Sequence, residues 1–165
     1  MDRIDVALLV IRSVFGLFLS YHGLNKVRGG LKGTAKWFAG IGMKWPMLQA
    51  RMAAGTEIVA GLLFAAGLLT PLAAAGIVGV MLVAIWTVHW KVGFWVFLPE
   101  QGWEYCGSIA VVAWAVGATG AGRWSLDHAF GIAFDGWSGA LIAGALGVAA
   151  AGAQVALCYR PEAKR

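Results

Sequence analysis

Charge is what this sequence most lacks. Asp, Glu, Lys and Arg make up 13% of its 165 residues, and only eight of them are acidic. A soluble domain carries roughly a quarter charged residues, so a water-facing globule is excluded. Cysteine is nearly absent as well. Cys106 and Cys158 form no C-x-x-C pair, and both fall toward the side assigned below to the reducing cytoplasm, which argues against a structural disulfide. There is no phosphate loop, no nucleophile elbow and no internal repeat. Alternating ten-residue segments are missing too, which excludes a lipid-facing barrel. The start, Met1-Asp2-Arg3-Ile4-Asp5, lacks a basic n-region, and the apolar stretch after it is too long and carries Arg12. The first helix is therefore expected to stay as an anchor. His22 and His89 have no ligand spacing, so neither haem nor a metal is expected.

What fills the sequence is apolar. Hydrophobic residues reach 60% and the mean hydropathy is +0.75. That surface needs lipid, so an all-α integral membrane protein is expected, built as one transmembrane domain over 1–165. About 20 helical residues cross a hydrocarbon core of about 30 Å. Five segments qualify, at about 4–27, 50–69, 72–90, 103–118 and 136–159, and the fourth is the shortest.

If all five span, the cations fall mainly on one side. Lys26, Arg28, Lys32, Lys36, Lys44, Arg51, Lys91, Arg160, Lys164 and Arg165 share it, leaving Arg3 and Arg123 opposite. The positive-inside rule then puts the N-terminus outside and the C-terminus in the cytoplasm of a bacterial inner membrane. The net charge of +5 is thus an orientation signal and a contact with anionic lipid, not a sign of nucleic acid. In the last segment Gly139, Ala143, Gly147 and Ala151 recur every fourth residue. Such a small-residue face permits close helix approach, within the bundle or as a homo-oligomer contact.

Polar residues inside lipid are costly, and such residues usually pair and mark function. Arg12 in the first helix and Glu57 in the second are expected to pair, their depths differing by about 5–10 Å at the helical rise. That pair either locks the helices or also frames a ligand or proton site. His22, Asn25 and Lys26 end the first helix, His89 ends the third, and Glu104 and Tyr105 open the fourth. Trp86, Trp90, Phe94, Trp95, Phe97 and Trp103 crowd the same level. They read as an interfacial belt, some of which can wall an apolar pocket for a flat ring. The linker GATGAGRWSLDHAF joins the last two spans. Gly120 and Gly122 end a helix there, Ser125 or Asp127 can cap a short helix, and Arg123 and Asp127 are expected to pair at the surface, where the motif can double as a docking face.

Taken in order, Arg12 and Gly16, His22-Gly23 and Lys26, Glu57 and Gly61 in AGTEIVAGLLFAAGLLTP, His89, Gly93-Phe94, Glu104-Tyr105 and Gly122-Arg123-Trp124-Ser125-Leu126-Asp127 form a pattern. From Ile11 to about Phe130 the chain resembles the DoxX family of small bacterial membrane proteins. The resemblance implies a four-helix membrane bundle, here with a fifth C-terminal helix. It is also similar to the DoxD type subunits of thiosulfate:quinone oxidoreductase, and some family members are tied to thiol and oxidative-stress systems. It assigns no catalytic role to Arg12, Glu57, His89, Glu104, Arg123, Ser125 or Asp127.

The leading expectation is a quinone-linked redox subunit. His89 or His22 would bond a quinone carbonyl, Trp86, Trp90 and Glu104 would line the pocket, and Glu57 would relay protons beside Arg12. Without a redox centre of its own, such a chain needs a protein partner carrying one. The alternatives are a non-enzymatic scaffold that docks other proteins, and a carrier of a small lipid or solute. The carrier lacks the paired broken helices of a secondary transporter.

Overall fold

The computed structural model describes residues 2–161. Lys164 and Arg165, counted above on the basic side, lie outside the described residues. Helix α1 (Arg3–Arg28) starts where the Asp2 carboxylate accepts the Ile4 N–H at 3.1 Å. It carries Asp5 in its first turn and Lys26 and Arg28 in its last, the polarity that its macrodipole favours. A short helix, α2 (Leu31–Gly40), follows. Helix α3 (Pro46–Ala66) opens on a proline, suited to a position whose N–H has no helical partner, and stops at Gly67, left-handed at φ 64°. Helix α4 (Thr70–Ala84) runs on through a π turn (Ile85–His89). Helix α5 (Glu104–Thr119) and the one-turn α6 (Leu126–Ala129) come next. The last rod is α7 (Gly136–Leu141), a π turn (Ile142–Leu146) and α8 (Gly147–Cys158).

Among the described residues three rods are long and apolar enough to cross a membrane: Arg3–Arg28, Thr70–His89 and Gly136–Cys158. Helix α3 has 21 residues but carries Gln49, Arg51 and Glu57, and α5 has only 16. Among the described residues the fold is all-helical apart from one isolated bridge, Met43 to Tyr159. The radial distribution of side chains is that of a protein solvated by lipid. Leu17, Phe18, Val59, Leu62, Val111 and Leu141 point outward, whereas Ala50, Ala54, Ala74, Ala113 and Ala143 are buried together with Arg12, Gln49 and Glu57. Lipid supplies no hydrophobic drive between helices, so close van der Waals packing of small residues must hold them.

Helices α1 and α3 run antiparallel at close range. Ser20 Oγ donates to the carbonyls of Gly16 at 2.9 Å and, across the crossing, Ile58 at 3.2 Å. A methyl on Gly23 would lie 2.7 Å from the Ala54 carbonyl oxygen. One on Gly61 would overlap Ser20 Oγ and the Gly16 carbonyl. The rod α7–α8 packs on α4 and α5, with Gly139 against Gly117, Ala143 beside Gly117 and Gly147 against Val78. Its four-residue stripe of small side chains therefore serves packing within this chain.

The two ends of the bundle follow from these directions. At the basic end the α2–α3 turn is joined to the chain leaving α8: Lys44 N–H donates to Cys158 and Arg160 N–H to Gly42, both at 2.8 Å. Tyr159 Oη also reaches the Thr87 carbonyl at 3.3 Å. The N-terminal end holds the start of α1, the α3–α4 turn and the linker 120–135.

The α1–α3 crossing predicts that Gly61→Ala lowers stability by about 1–3 kcal/mol, the usual range for overpacking. Gly55→Ala, where an added methyl meets nothing within 4 Å, should be neutral or slightly stabilising. Thermal melting of both variants in one detergent checks the contrast.

Candidate functional site

The residues singled out in the sequence fall into three places. At the N-terminal end lies a polar knot. Arg12 is 0% exposed. Its Nη2 donates to the Trp124 carbonyl at 2.7 Å and its Nη1 to the Ala65 carbonyl at 3.4 Å. Asp127, 1% exposed, supplies the negative charge facing it. The Asp127 carboxylate accepts the N–H groups of Leu69 at 2.6 Å and Thr70 at 2.9 Å. It thereby caps α4 from another part of the chain, a task its own N-cap residue Leu69 cannot perform. Leu69 is left-handed at φ 49°, which costs about 1–2 kcal/mol in a residue with a Cβ; the carboxylate and the Asp127 N–H bond to Gly67 O at 2.8 Å hold that turn. Asp5 completes the knot by accepting the Arg123 N–H at 2.8 Å.

Two sequence expectations are corrected here. Arg12 does not pair with Glu57. Gly16 faces Gly61 and Ala65, so Arg12, one turn earlier, meets the end of α3, whereas Glu57 lies level with Gly23. The separation is about 16 Å at the helical rise, beyond the reach of two side chains. Nor do Arg123 and Asp127 pair at the surface, because Asp127 turns inward and Arg123 stays exposed. The motif closes as a clasp on Arg12 and the α3–α4 turn. Ser125 does cap α6, accepting the His128 N–H at 3.2 Å, and its hydroxyl donates to Gly122 O at 2.6 Å. Among the described residues Arg12 Nε and Thr70 Oγ1 find no partner.

The second place is the interior of the basic half. Glu57 forms an ion pair with Lys26, with side-chain exposures of 8% and 26%. The Cys106 thiol on α5 lies within electrostatic reach of the same carboxylate. Farther toward the basic end Gln154 Nε2 donates to Gln49 Oε1 at 2.7 Å. Lys26 was visible at the exit of α1, but only the α1–α3 register shows that it, rather than Arg12, matches Glu57.

The third place is the basic end of α4 and α5. Trp86 stacks on Trp90 with ring centroids 6.2 Å apart, and Trp90 on Trp103 at 6.3 Å. Phe94 meets Trp103 edge-on at 4.8 Å. The connecting loop folds back on itself: Trp103 N–H reaches Gly93 O, Glu104 N–H reaches Phe94 O, and the Glu104 carboxylate accepts the Val96 N–H at 3.1 Å. His89 Nδ1 donates to Gln101 O at 2.6 Å, which leaves Nε2 as its acceptor. Beside this loop lies an open groove of about 400 Å³ lined by Phe94, Trp103, Glu104, Gly107, Ser108, Val111 and Val112. That volume lies within the usual range for small-molecule sites. The groove opens on the outward face of α5, where Val111 is 65% exposed. His22 takes no part, because it points outward from α1. Among the described residues no three His, Cys, Asp or Glu side chains converge as metal ligands.

The sequence matches the family described as DoxX over residues 7–90, about half of the chain. The groove and the clasp motif lie beyond that stretch. A Bacillus subtilis (strain 168) protein named "Putative oxidoreductase CatD" is 31% identical over 90 residues, covering 54% of this chain and 65% of that protein. The chain thus spans just under two thirds of that relative. No solved structure matches.

A double-mutant cycle separates the two pairings. Lys26→Met with Glu57→Gln should show a coupling of about 0.5–1 kcal/mol, reduced by the partial exposure of Lys26, and Arg12→Met with Glu57→Gln a coupling near zero.

Asp127→Ala uncaps α4 and leaves the buried Arg12 without its counter-charge. It should cost about 3–5 kcal/mol, whereas Arg123→Ala should stay within about 0.5 kcal/mol. Detergent melting curves measured side by side decide it.

Proposed function

The chain belongs to the DoxX family, and from that premise we propose that it is the membrane subunit of a quinone-linked redox system. The observation that carries this reading is the groove: an apolar, aromatic-walled recess with one carboxylate and one hydroxyl, open on the outward face of α5. A lipid-soluble quinone reaches such a recess laterally, without leaving the bilayer. Trp103 and Phe94 supply flat faces for its ring, stacked from behind by Trp90 and Trp86. Glu104 and the Ser108 hydroxyl stand at the polar rim, the hydroxyl donating to the Glu104 carbonyl at 2.8 Å. The oxidoreductase name of the Bacillus subtilis relative points the same way.

Reduction of a quinone takes one electron pair and two protons, one proton for each carbonyl oxygen. In this reading Glu104 relays the protons in turn, taking each from water at the basic end before passing it on. Lys26, at the rim of the bundle, pairs with Glu57 in the interior. Cys106 and Cys158 are both free and buried, so the electrons come from a partner protein that carries the redox centre. The charge asymmetry supports an orientation in the bacterial inner membrane with the basic end, and hence the groove, toward the cytoplasm.

Titration of the detergent-solubilised protein with a short-chain ubiquinone, followed by tryptophan quenching, tests the reading. Saturable quenching is expected. Val111→Trp, which fills the groove from an exposed position, and Trp103→Leu should each weaken binding by about tenfold or more. Quenching that does not saturate, or that is unchanged in Val111→Trp, would sink the proposal.

A further inference from the structure

Between Asp5 and Glu57 the sequence holds no acidic residue, yet that stretch carries Arg12, Lys26, Arg28, Lys32, Lys36, Lys44 and Arg51. Arg12 is consumed by the knot and Lys26 by Glu57. The other five are exposed, and none is ion-paired among the described residues. Helix α2 sits in the middle of them. Its Leu31, Thr34, Ala35 and Phe38, one helical face, turn inward, while Lys32, Lys36 and Trp37 turn outward. Lys32 and Lys36, one turn apart, repel each other on that face. Nothing crowds them: a methyl added at Gly30, Gly33 or Gly40 would meet no atom within 4 Å. Trp37 and Trp45 flank the same surface at 48% and 62% exposure, the amphipathic residues of a membrane–water boundary.

We propose that α2 and its flanking turns form a shelf that binds the headgroups of anionic phospholipids. The shelf combines a like-charged pair with no acidic partner among the described residues, open space beside it, and two exposed indoles. A leaflet carrying negative lipids satisfies all of these at once, each nearby cation contributing about fivefold in affinity. An acidic protein segment would satisfy the charge but leave the two indoles without their boundary. The shelf is independent of the quinone groove, which lies on α5.

The test reconstitutes the full chain in nanodiscs of phosphatidylcholine with and without phosphatidylglycerol and counts retained lipids by native mass spectrometry after mild extraction. Wild type should retain phosphatidylglycerol in preference to phosphatidylcholine. The double variant Lys32→Gln/Lys36→Gln should lose about 25-fold of that preference, the square of the single-cation effect, and melt as wild type does in pure phosphatidylcholine. Lys91→Gln, at the same end but off the shelf, should keep most of it. Excess inorganic phosphate should leave the lipid in place. The proposal is overturned by equal retention of the two lipids in wild type, by an unchanged preference in the double variant, or by displacement with phosphate. It is equally overturned if the variant sheds an acidic protein partner while its lipid retention is intact.

Discussion

The structure depends on a buried guanidinium. Arg12 sits inside a bundle that faces lipid, where a stranded charge costs at least a few kcal/mol. The charge is tolerated because three separate pieces of chain converge on it: the last turn of α3 offers the Ala65 carbonyl, the linker offers the Trp124 carbonyl, and Asp127 supplies the counter-charge. Those same contacts fix where the linker lies. The Asp127 carboxylate accepts the amides of Leu69 and Thr70 while lying within electrostatic range of Arg12, so one carboxylate serves both the cap and the buried charge. The cost of a polar group in lipid is turned into a constraint on topology, tying α1, the α3–α4 turn and the linker after α5 together at one end.

With that end locked, the α1–α3 register is determined all the way to the other. Gly16 meets Gly61, Ser20 reaches Ile58, and Gly23 meets Ala54. Glu57 is then carried to the level where only Lys26, at the exit of α1, can reach it. The protein thus keeps two charge centres at separate depths, each neutralised locally, instead of one pair bridging the bilayer core. The first is closed and structural. The second is only partly shielded, with Lys26 half-buried and Cys106 on the neighbouring helix.

Much of this was legible in the sequence, and the failures have a common cause. The apolar runs and the scarcity of charge identify an all-helical membrane protein, and Gly120 ends α5 as its local chemistry implies. The cap by Ser125 was readable for the same reason, since its partner His128 is only three residues away. What composition could not provide was depth. Arg12 and Glu57 appear matched when counted from the ends of apolar segments, because such counts set their depths about 5–10 Å apart, whereas the packed register sets them about 16 Å apart. Asp127 was misassigned because its partners, Leu69 and Thr70, are more than fifty residues away and are backbone amides, which leave no mark in a sequence. Helix α2 was missed because its ten residues sit in a basic, glycine-rich stretch that reads as a loop until α3 is there to receive Leu31, Ala35 and Phe38.

The position of α5 shows how the remaining polar groups relate to one another. Its first turns carry Cys106 on the side toward Glu57 and Glu104 and Ser108 on the side toward the groove. This helix therefore stands between the interior carboxylate and the groove, and Glu57 is not among the groove's lining residues whereas Glu104 is. The loop that positions Glu104 is in turn held by His89 through Gln101, a residue in the left-handed region at φ 55°. His89 thereby acts on the groove at one remove, by fixing the loop. The polar residues that the sequence presents as one candidate site are three arrangements with different physical tasks: Arg12 with Asp127 sets the topology, Lys26 with Glu57 neutralises the interior, and Glu104 with the aromatic stack faces the lipid.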